Sequence, residues 1–217
     1  MLDGGVLVEI WSDLVCPWCF IGKRRFERAL RGFEHADEVE VVWRSYELDP
    51  TAPSDGTSVD LVAYLAAKYG TDRTGAEAML DRVTQAAAGE GLEYHLDIAK
   101  RGSSLDGHRL LHAAKAQGKQ HEMGERLFRA YFTEGVSLAD RDELRRLAAD
   151  VGVDASALDD PTAYADDVRD DVRGATELGI SGVPFFAIDR RYGISGAQDP
   201  RLMLDALRKA YAGPSAA

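Results

Sequence analysis

The sequence predicts an α/β protein in which a mixed strand-and-helix domain is interrupted by a long all-helical insertion. Three observations predict this. Strand-like patterns cluster near the two ends of the chain, at 6–11 and 39–46 and again at 183–188 and 192–195. From Ser58 to about Leu178 only helical spacing of apolar residues is found. The first strand runs straight into a Cys-x-x-Cys pair that opens a helix, a βα joint of the kind found in parallel sheets. The expected division is 1–57 with 179–217 as one domain and 58–178 as the helical insertion.

Val6, Leu7, Val8, Ile10 and Trp11 form a short run rich in β-branched residues, suited to a buried strand. Phe26, Ala29, Leu30 and Phe33 then share one face of the first helix. Strand 39–46 completes a βαβ unit, which Pro50 and the Pro/Gly/Ser-rich stretch 51–57 end. In the insertion, Val62, Leu65, Ala66 and Tyr69 form a stripe closed by Gly70. Thr74 and Glu77 fit a capping box for a second helix ending near Gly89, and 91–101 reads as irregular. Ser104 caps a helix to Gln117, Met123, Leu127, Ala130 and Tyr131 mark the next, and Asp140 with Glu143 opens another. Asp160-Pro161 is expected to open the last, with Tyr164, Val168, Val172 and Ala175 inward. A hairpin at 183–195, turning at Asp189-Arg190-Arg191, and a helix from Asp199-Pro200 finish the fold; the tail from Gly213 is expected to be disordered.

A hydrophobic fraction of 45% is ample for a core, and a net charge of −11 argues against nucleic acid or an anionic membrane as partner. No apolar run approaches a bilayer span, and the N-terminus shows no basic, signal-like stretch, so a cytoplasmic protein is expected. Two cysteines in this length do not make a disulfide-stapled secreted domain.

The pair itself, Cys16-Pro17-Trp18-Cys19, carries the chemistry. Pro17 suits the first helical position, which puts Cys16 at the N-cap and Cys19 in the first turn. Unpaired N–H groups and the helix dipole favour a thiolate at Cys16, and a second thiol one turn on can release a mixed disulfide. With no other cysteine, a four-cysteine zinc site is excluded, and a structural disulfide closing so small a loop would stabilise little. Catalytic residues are therefore expected at Cys16 and Cys19, with no metal and no bound cofactor; glutathione or another thiol is a possible redox co-substrate. Far downstream, Val183-Pro184 opens a strand, where a proline belongs and where a cis bond would offer the Val183 main chain to an extended peptide.

Two segments, Cys16-Pro17-Trp18-Cys19-Phe20-Ile21-Gly22-Lys23-Arg24 and Ser181-Gly182-Val183-Pro184-Phe185-Phe186, with Tyr192 to Gln198 after them, resemble the DsbA-like thioredoxin-fold disulfide oxidoreductases and among them the FrnE-like branch. The resemblance covers essentially the whole chain. It implies a thioredoxin-like fold (the βαβ unit, a β-hairpin and a C-terminal helix) interrupted by the helical domain, an exposed nucleophile at Cys16, a buried resolving thiol at Cys19, and a cis-proline at Pro184 facing them. Pro17, Trp18, Val183 and Pro184 would contact a disulfide- or thiol-containing protein or small molecule. The chain departs from DsbA proper at Trp18, where DsbA has histidine, and at Ile10, where it has a buried glutamate. Without that histidine the Cys16 thiolate is less stabilised and a weaker oxidant is expected, nearer the roughly −180 to −270 mV of isomerases and thioredoxin than DsbA's approximate −120 mV.

The alternative enzyme class is the glutathione-dependent kappa-type transferases and hydroxychromene-carboxylate isomerases, which share the insertion architecture but usually carry serine in place of Cys16. A non-catalytic peptide chaperone is a third reading. His108 and His112 lie at i, i+4 without a completing acid and read as surface or packing residues; His35, His95 and His121 show no evident partner. Lys23, Arg24, Arg25, Arg28 and Arg31 read as a solvated helix face, as do the paired aspartates at 159–160, 166–167 and 170–171 as solvated helix and cap positions. Substrate, direction of electron flow and oligomeric state are not written in the sequence.

Overall fold

The computed structural model describes residues 5–54 and 60–213 of the 217-residue chain, so parts of the loop expected at 51–57 and of the expected C-terminal tail, and Ser58, lie outside the described residues. Strand β1 (Val6–Ser12) is central. It pairs in parallel with β2 (Val39–Ser45) and antiparallel with β3 (Phe185–Ile188), and β3 pairs antiparallel with β4 (Tyr192–Ser195), giving the order β2-β1-β3-β4. Side chains alternate across a strand, so Val8 and Ile10 enter one apolar cluster while Trp11 enters the other with Ala175, Ile180 and Ala187. The β3–β4 turn uses Asp189 and Arg190, both at positive φ, and Asp189 is fixed by accepting a 2.8 Å hydrogen bond from the Leu7 N–H.

On the Ile10 face lies α1 (Pro17–Arg31), packed along α8 (Pro200–Tyr211) through Phe26 and Ala29 against Met203, Leu207 and Ala210. Asp199 caps α8 and Pro200 takes its first position. On the Trp11 face lies α7 (Ala165–Glu177). Its Asp171 is buried, contrary to the expectation of a solvated acid. The carboxylate accepts from the Ser45 N–H (2.8 Å) and Arg44 (3.1 Å) and stands 3.0 Å from His112 Nε2, while its main-chain carbonyl accepts from the Trp11 indole. A buried charge persists only with such partners. Glu9, on the same face and 1% exposed, is held by Arg44 and Arg190.

Helices α2 (Leu61–Tyr69), α3 (Arg73–Ala88), α4 (Leu105–Ala116), α5 (Gln120–Phe132), α6 (Arg141–Asp150) and α7 come between β2 and β3 in the chain. Phe20 of α1 stacks on Phe128 of α5 with ring centroids 5.0 Å apart, and Phe132 stacks on Tyr94, so one apolar core runs from the sheet into the helices. Five helix-level expectations are corrected. Asp72, not Thr74, caps α3 by accepting from the Gly75 N–H, which places Thr74 inside the helix. Asp160 makes a local turn with Thr162, and α7 starts later, after Tyr164 in the left-handed region. Tyr69 is exposed and Val172 is half-buried. Lys23 is buried and paired with Glu27 and, at 2.5 Å, Glu125, while Arg25 and Arg28 hold Glu90, so much of the basic stretch is an inter-helix contact rather than a solvated face. Among the described residues no helix is long and apolar enough to cross a membrane.

Candidate active site

The site is built at the C-terminal end of β1. After Ser12 the chain turns through Asp13, whose carboxylate is fully buried and accepts from the N–H groups of Val15 (3.2 Å) and Leu48 (2.7 Å). The Asp13 carbonyl accepts from the Cys16 N–H at 3.1 Å, closing the turn that delivers Cys16 to the helix. Cys16 is the N-cap of α1 in extended conformation, Pro17 follows at the first position, and the Cys19 N–H donates to the Cys16 carbonyl at 3.0 Å. Tyr94, from the irregular stretch after α3, donates its hydroxyl to the Pro17 carbonyl at 2.7 Å. Burial, and the charge of the two sulfurs, push that phenol upward, which keeps it a donor.

Both cysteines are free thiols. Cys19 is 1% exposed, and burial first, then the neighbouring Cys16, raises it well above the usual thiol range. The Ser12 hydroxyl and the Asp13 main chain act on Cys19 in the opposite sense. Cys16 is itself buried at 5% exposure, a correction to the exposed sulfur that the resemblance implied. Its Sγ lies 3.7 Å from the Val183 carbonyl oxygen, so the two motifs meet. The Val183–Pro184 peptide bond is cis. Pro184 sits against α1 where Gly22 leaves room: a Cβ at Gly22 would stand 2.8 Å from Pro184 Cγ. Trp18 projects outward, 43% exposed. Pro17 and Trp18 border the same opening as Cys16.

That opening is a cavity of about 220 Å³ beside Cys16. Its walls are apolar side chains of α2, α3 and α5, among them Leu61, Leu65, Leu80, Val83 and Phe132. Its polar edge carries Arg101, which pairs with Asp49 and lies 3.8 Å over the Tyr64 ring. Leu48 and Tyr69, both exposed, and Trp18 complete an apolar rim. No buried residue lies on α2, and its inner side faces this space.

Behind the loop stands His108 of α4, 1% exposed, with Nε2 3.5 Å from Asp13 and no hydrogen bond to either ring nitrogen. It is a core residue, as is His112; His35, His95 and His121 each have a glutamate neighbour, Glu38, Glu93 and Glu27. Glu47 faces His108 and Asp13, and burial followed by the Asp13 charge raises its carboxyl. Among the described residues no three metal-ligating side chains cluster. The sequence points to the cysteine and proline motifs but assigns no part to Ser12, Asp13, Tyr94, His108 or the cavity-lining residues of α2 and α3. Asp13 and Ser12 lie within four residues of Cys16, which was the available signal; Tyr94 and His108 had none.

A family profile described as the DSBA-like thioredoxin domain matches residues 7–208. The chain belongs to that family. Among curated proteins, the family relative YwbO of Bacillus subtilis (strain 168), described as uncharacterised, is 34% identical over 193 residues, covering 84% of this chain and 86% of its own. A crystal structure of a probable DsbA oxidoreductase from Streptomyces coelicolor is 44% identical with a TM-score of 0.91, covering 98% of this chain and 92% of that one. The cytosolic disulfide reductase DsbM of Pseudomonas aeruginosa shares the fold at a TM-score of 0.63 and 21% identity, over 95% of each chain.

Proposed function

We propose that this chain is a thiol–disulfide oxidoreductase that works through a mixed disulfide. Cys16 attacks a disulfide of a protein or small-molecule substrate, and Cys19 then displaces the product thiol by forming the Cys16–Cys19 bond. Pro17, Trp18, Val183 and Pro184 are the substrate contacts in this reading. The observation that carries it is the joint placement of the Cys16 sulfur: at the N-cap of α1, 3.7 Å from the Val183 carbonyl, and on the wall of an apolar cavity, with Cys19 buried behind it. A helix N-terminus favours the thiolate that attacks, and burial of Cys19 keeps the second thiol away from solvent oxidants. The cavity suits a substrate with an apolar body next to its sulfur.

In a reducing cytosol such a pair is kept mostly as the dithiol, so reduction and isomerisation are the favoured directions, with glutathione or another thiol as the returning reductant. The fold shared with a protein named as a cytosolic disulfide reductase supports that setting.

The test is trapping. A Cys19→Ala variant accumulates substrates joined to Cys16, which mass spectrometry identifies, while the wild type reduces insulin and Cys16→Ser does not. A protein that conjugates glutathione to an electrophile at full rate after Cys16→Ser, and reduces no disulfide, would instead be a glutathione transferase or isomerase.

A further inference from the structure

The cavity beside Cys16 joins an apolar wall to a charged edge. Leu61, Leu65, Leu80 and Val83 of α2 and α3 supply the wall. Among the described residues, the charged ones lining the space are Asp13, Asp49, Lys68 and Arg101. Asp13 is fully buried and already accepts from the Val15 and Leu48 N–H groups. Asp49 pairs with Arg101, so those two charges cancel and the exposed Lys68 adds a positive one. Both cations gather on one ring: the Arg101 guanidinium carbon lies 3.8 Å and Lys68 Nζ 5.5 Å from the Tyr64 centroid. The Tyr64 hydroxyl donates to Asp49 at 3.3 Å, which anchors the ring and the guanidinium over it. Asp49 engages one terminal nitrogen of Arg101, and an arginine fork carries five N–H donors. In a chain of net charge −11, two cations held together at the edge of an apolar space beside a thiol mark a place for an anion. Size narrows the occupant. At about 220 Å³ the space exceeds the ~150 Å³ that holds one benzene ring, and it is smaller than the roughly 300 Å³ at which drug-sized pockets begin. One ring with a few further atoms fits; a run of peptide residues does not.

We propose that the cavity binds a small aromatic disulfide that carries a carboxylate, with its ring among the leucines of α2 and α3 and its carboxylate on Lys68 and Arg101. This rests on the exchange chemistry proposed above and gives that chemistry a substrate class. The Cys16 thiolate attacks the sulfur next to the ring. The substrate S–S bond breaks, and the other half leaves with the electron pair and takes up a proton from water. The half joined to Cys16 keeps its ring in the cavity. Cys19 then loses its proton, attacks Cys16 Sγ and forms the Cys16–Cys19 bond, and the second substrate thiolate leaves and is protonated. The substrate gains two electrons as two thiols, and the cysteine pair loses them as one disulfide, which the thiol reductant named above returns to the dithiol. A ring removed from water gains in proportion to its apolar area, so a disulfide that is polar throughout gains little from these walls. The carboxylate gains charge-assisted hydrogen bonds, which a neutral group of the same shape does not.

Two probes of one shape test this: diphenyl disulfide with a para-carboxylate on each ring, and the same molecule with para-carboxamides. Stopped-flow reaction of the reduced protein is expected to saturate with both, at an about tenfold lower concentration for the carboxylate. Lys68→Met is expected to cut that preference about threefold, and Lys68→Arg to keep it. Leu65→Asp puts a carboxylate into the apolar wall and is expected to raise both half-saturation concentrations roughly tenfold. Leu65 is half-buried and α2 has no buried residue, so the fold survives, which circular dichroism checks. Equal half-saturation of the two probes, or a preference untouched by Lys68→Met, overturns the place assigned to the carboxylate. Reaction without saturation while insulin is reduced normally overturns the cavity as the substrate's seat and leaves the redox reading standing. Calorimetric binding of the same probes to Cys16→Ser reads the preference without the chemistry. That preference intact in a protein that reduces neither insulin nor the probes would overturn the redox reading alone.

Discussion

Replacing Gly22 by alanine probes the contact on which the site depends. Gly22 lies on the buried side of α1, and a Cβ there would meet Pro184 Cγ at 2.8 Å, with Pro184 Cβ and Phe186 Cζ each at 3.4 Å. The nearest atom belongs to a closed ring anchored in the chain, so it cannot swing aside as a long side chain would. Overpacking of this kind costs about 1–3 kcal/mol. At roughly 2–4 °C per kcal/mol for a chain of this length, the melting temperature is expected to fall by about 2–12 °C. Alanine favours helix over glycine by up to about 1 kcal/mol, so the lower half of that range is the expectation. The chemistry changes too. Relief of the clash moves the Pro184 loop away from α1 and takes the Val183 carbonyl away from the Cys16 sulfur, so insulin reduction slows more than the loss of folded protein explains. Differential scanning calorimetry and a turnover assay on the same preparation read both. A variant as stable and as active as the parent would refute the packing of α1 on the Pro184 loop.

Other expectations follow from the same geometry. Trp18→His places a chargeable ring beside Cys16 and stabilises its thiolate, so the reduction potential rises by about 30 mV for each tenfold gain in the equilibrium constant; glutathione titration checks it, and no rise contradicts it. Tyr69→Asp on the exposed cavity rim raises KM for a disulfide with an apolar body and leaves kcat unchanged; equal effects on both would place Tyr69 outside the binding surface. Arg190, then Arg44, holds the Glu9 carboxyl below its ordinary range. Its stabilisation is therefore present above the unfolded-state value of about 4.3 and is lost as pH falls below it. The melting temperature of Glu9→Gln is accordingly expected to lie below that of the parent at neutral pH and to approach it in acid; parallel pH curves would contradict this.

The α/β architecture with a helical block between its halves was legible in the sequence because two periodicities, near 2 and near 3.6, alternate cleanly along the chain. Caps written by local chemistry were legible as well: Asp140 and Asp199 cap α6 and α8, and Gly70 takes the left-handed position after α2. Thr74 misled because Asp72 offered the same kind of oxygen two residues earlier. Asp171 and Lys23 misled for one shared reason. A charged residue in a helix reads as solvated until its partners are known, and these partners come from distant segments: Ser45 and Arg44 for Asp171, and Glu125 for Lys23. The cysteine and proline motifs pointed to the candidate site, whereas the cavity beside Cys16 arises only when α2, α3 and the stretch 96–104 converge on the motif.

Equilibration of the purified protein in glutathione buffers of graded ratio, quenched by acid and resolved by mass, measures the central claim most directly. The account predicts conversion of the Cys16–Cys19 dithiol to an intramolecular disulfide in a single two-electron transition, with a midpoint between roughly −180 and −270 mV. Persistence of two free thiols across the whole series, or a midpoint as oxidising as about −120 mV, would contradict it.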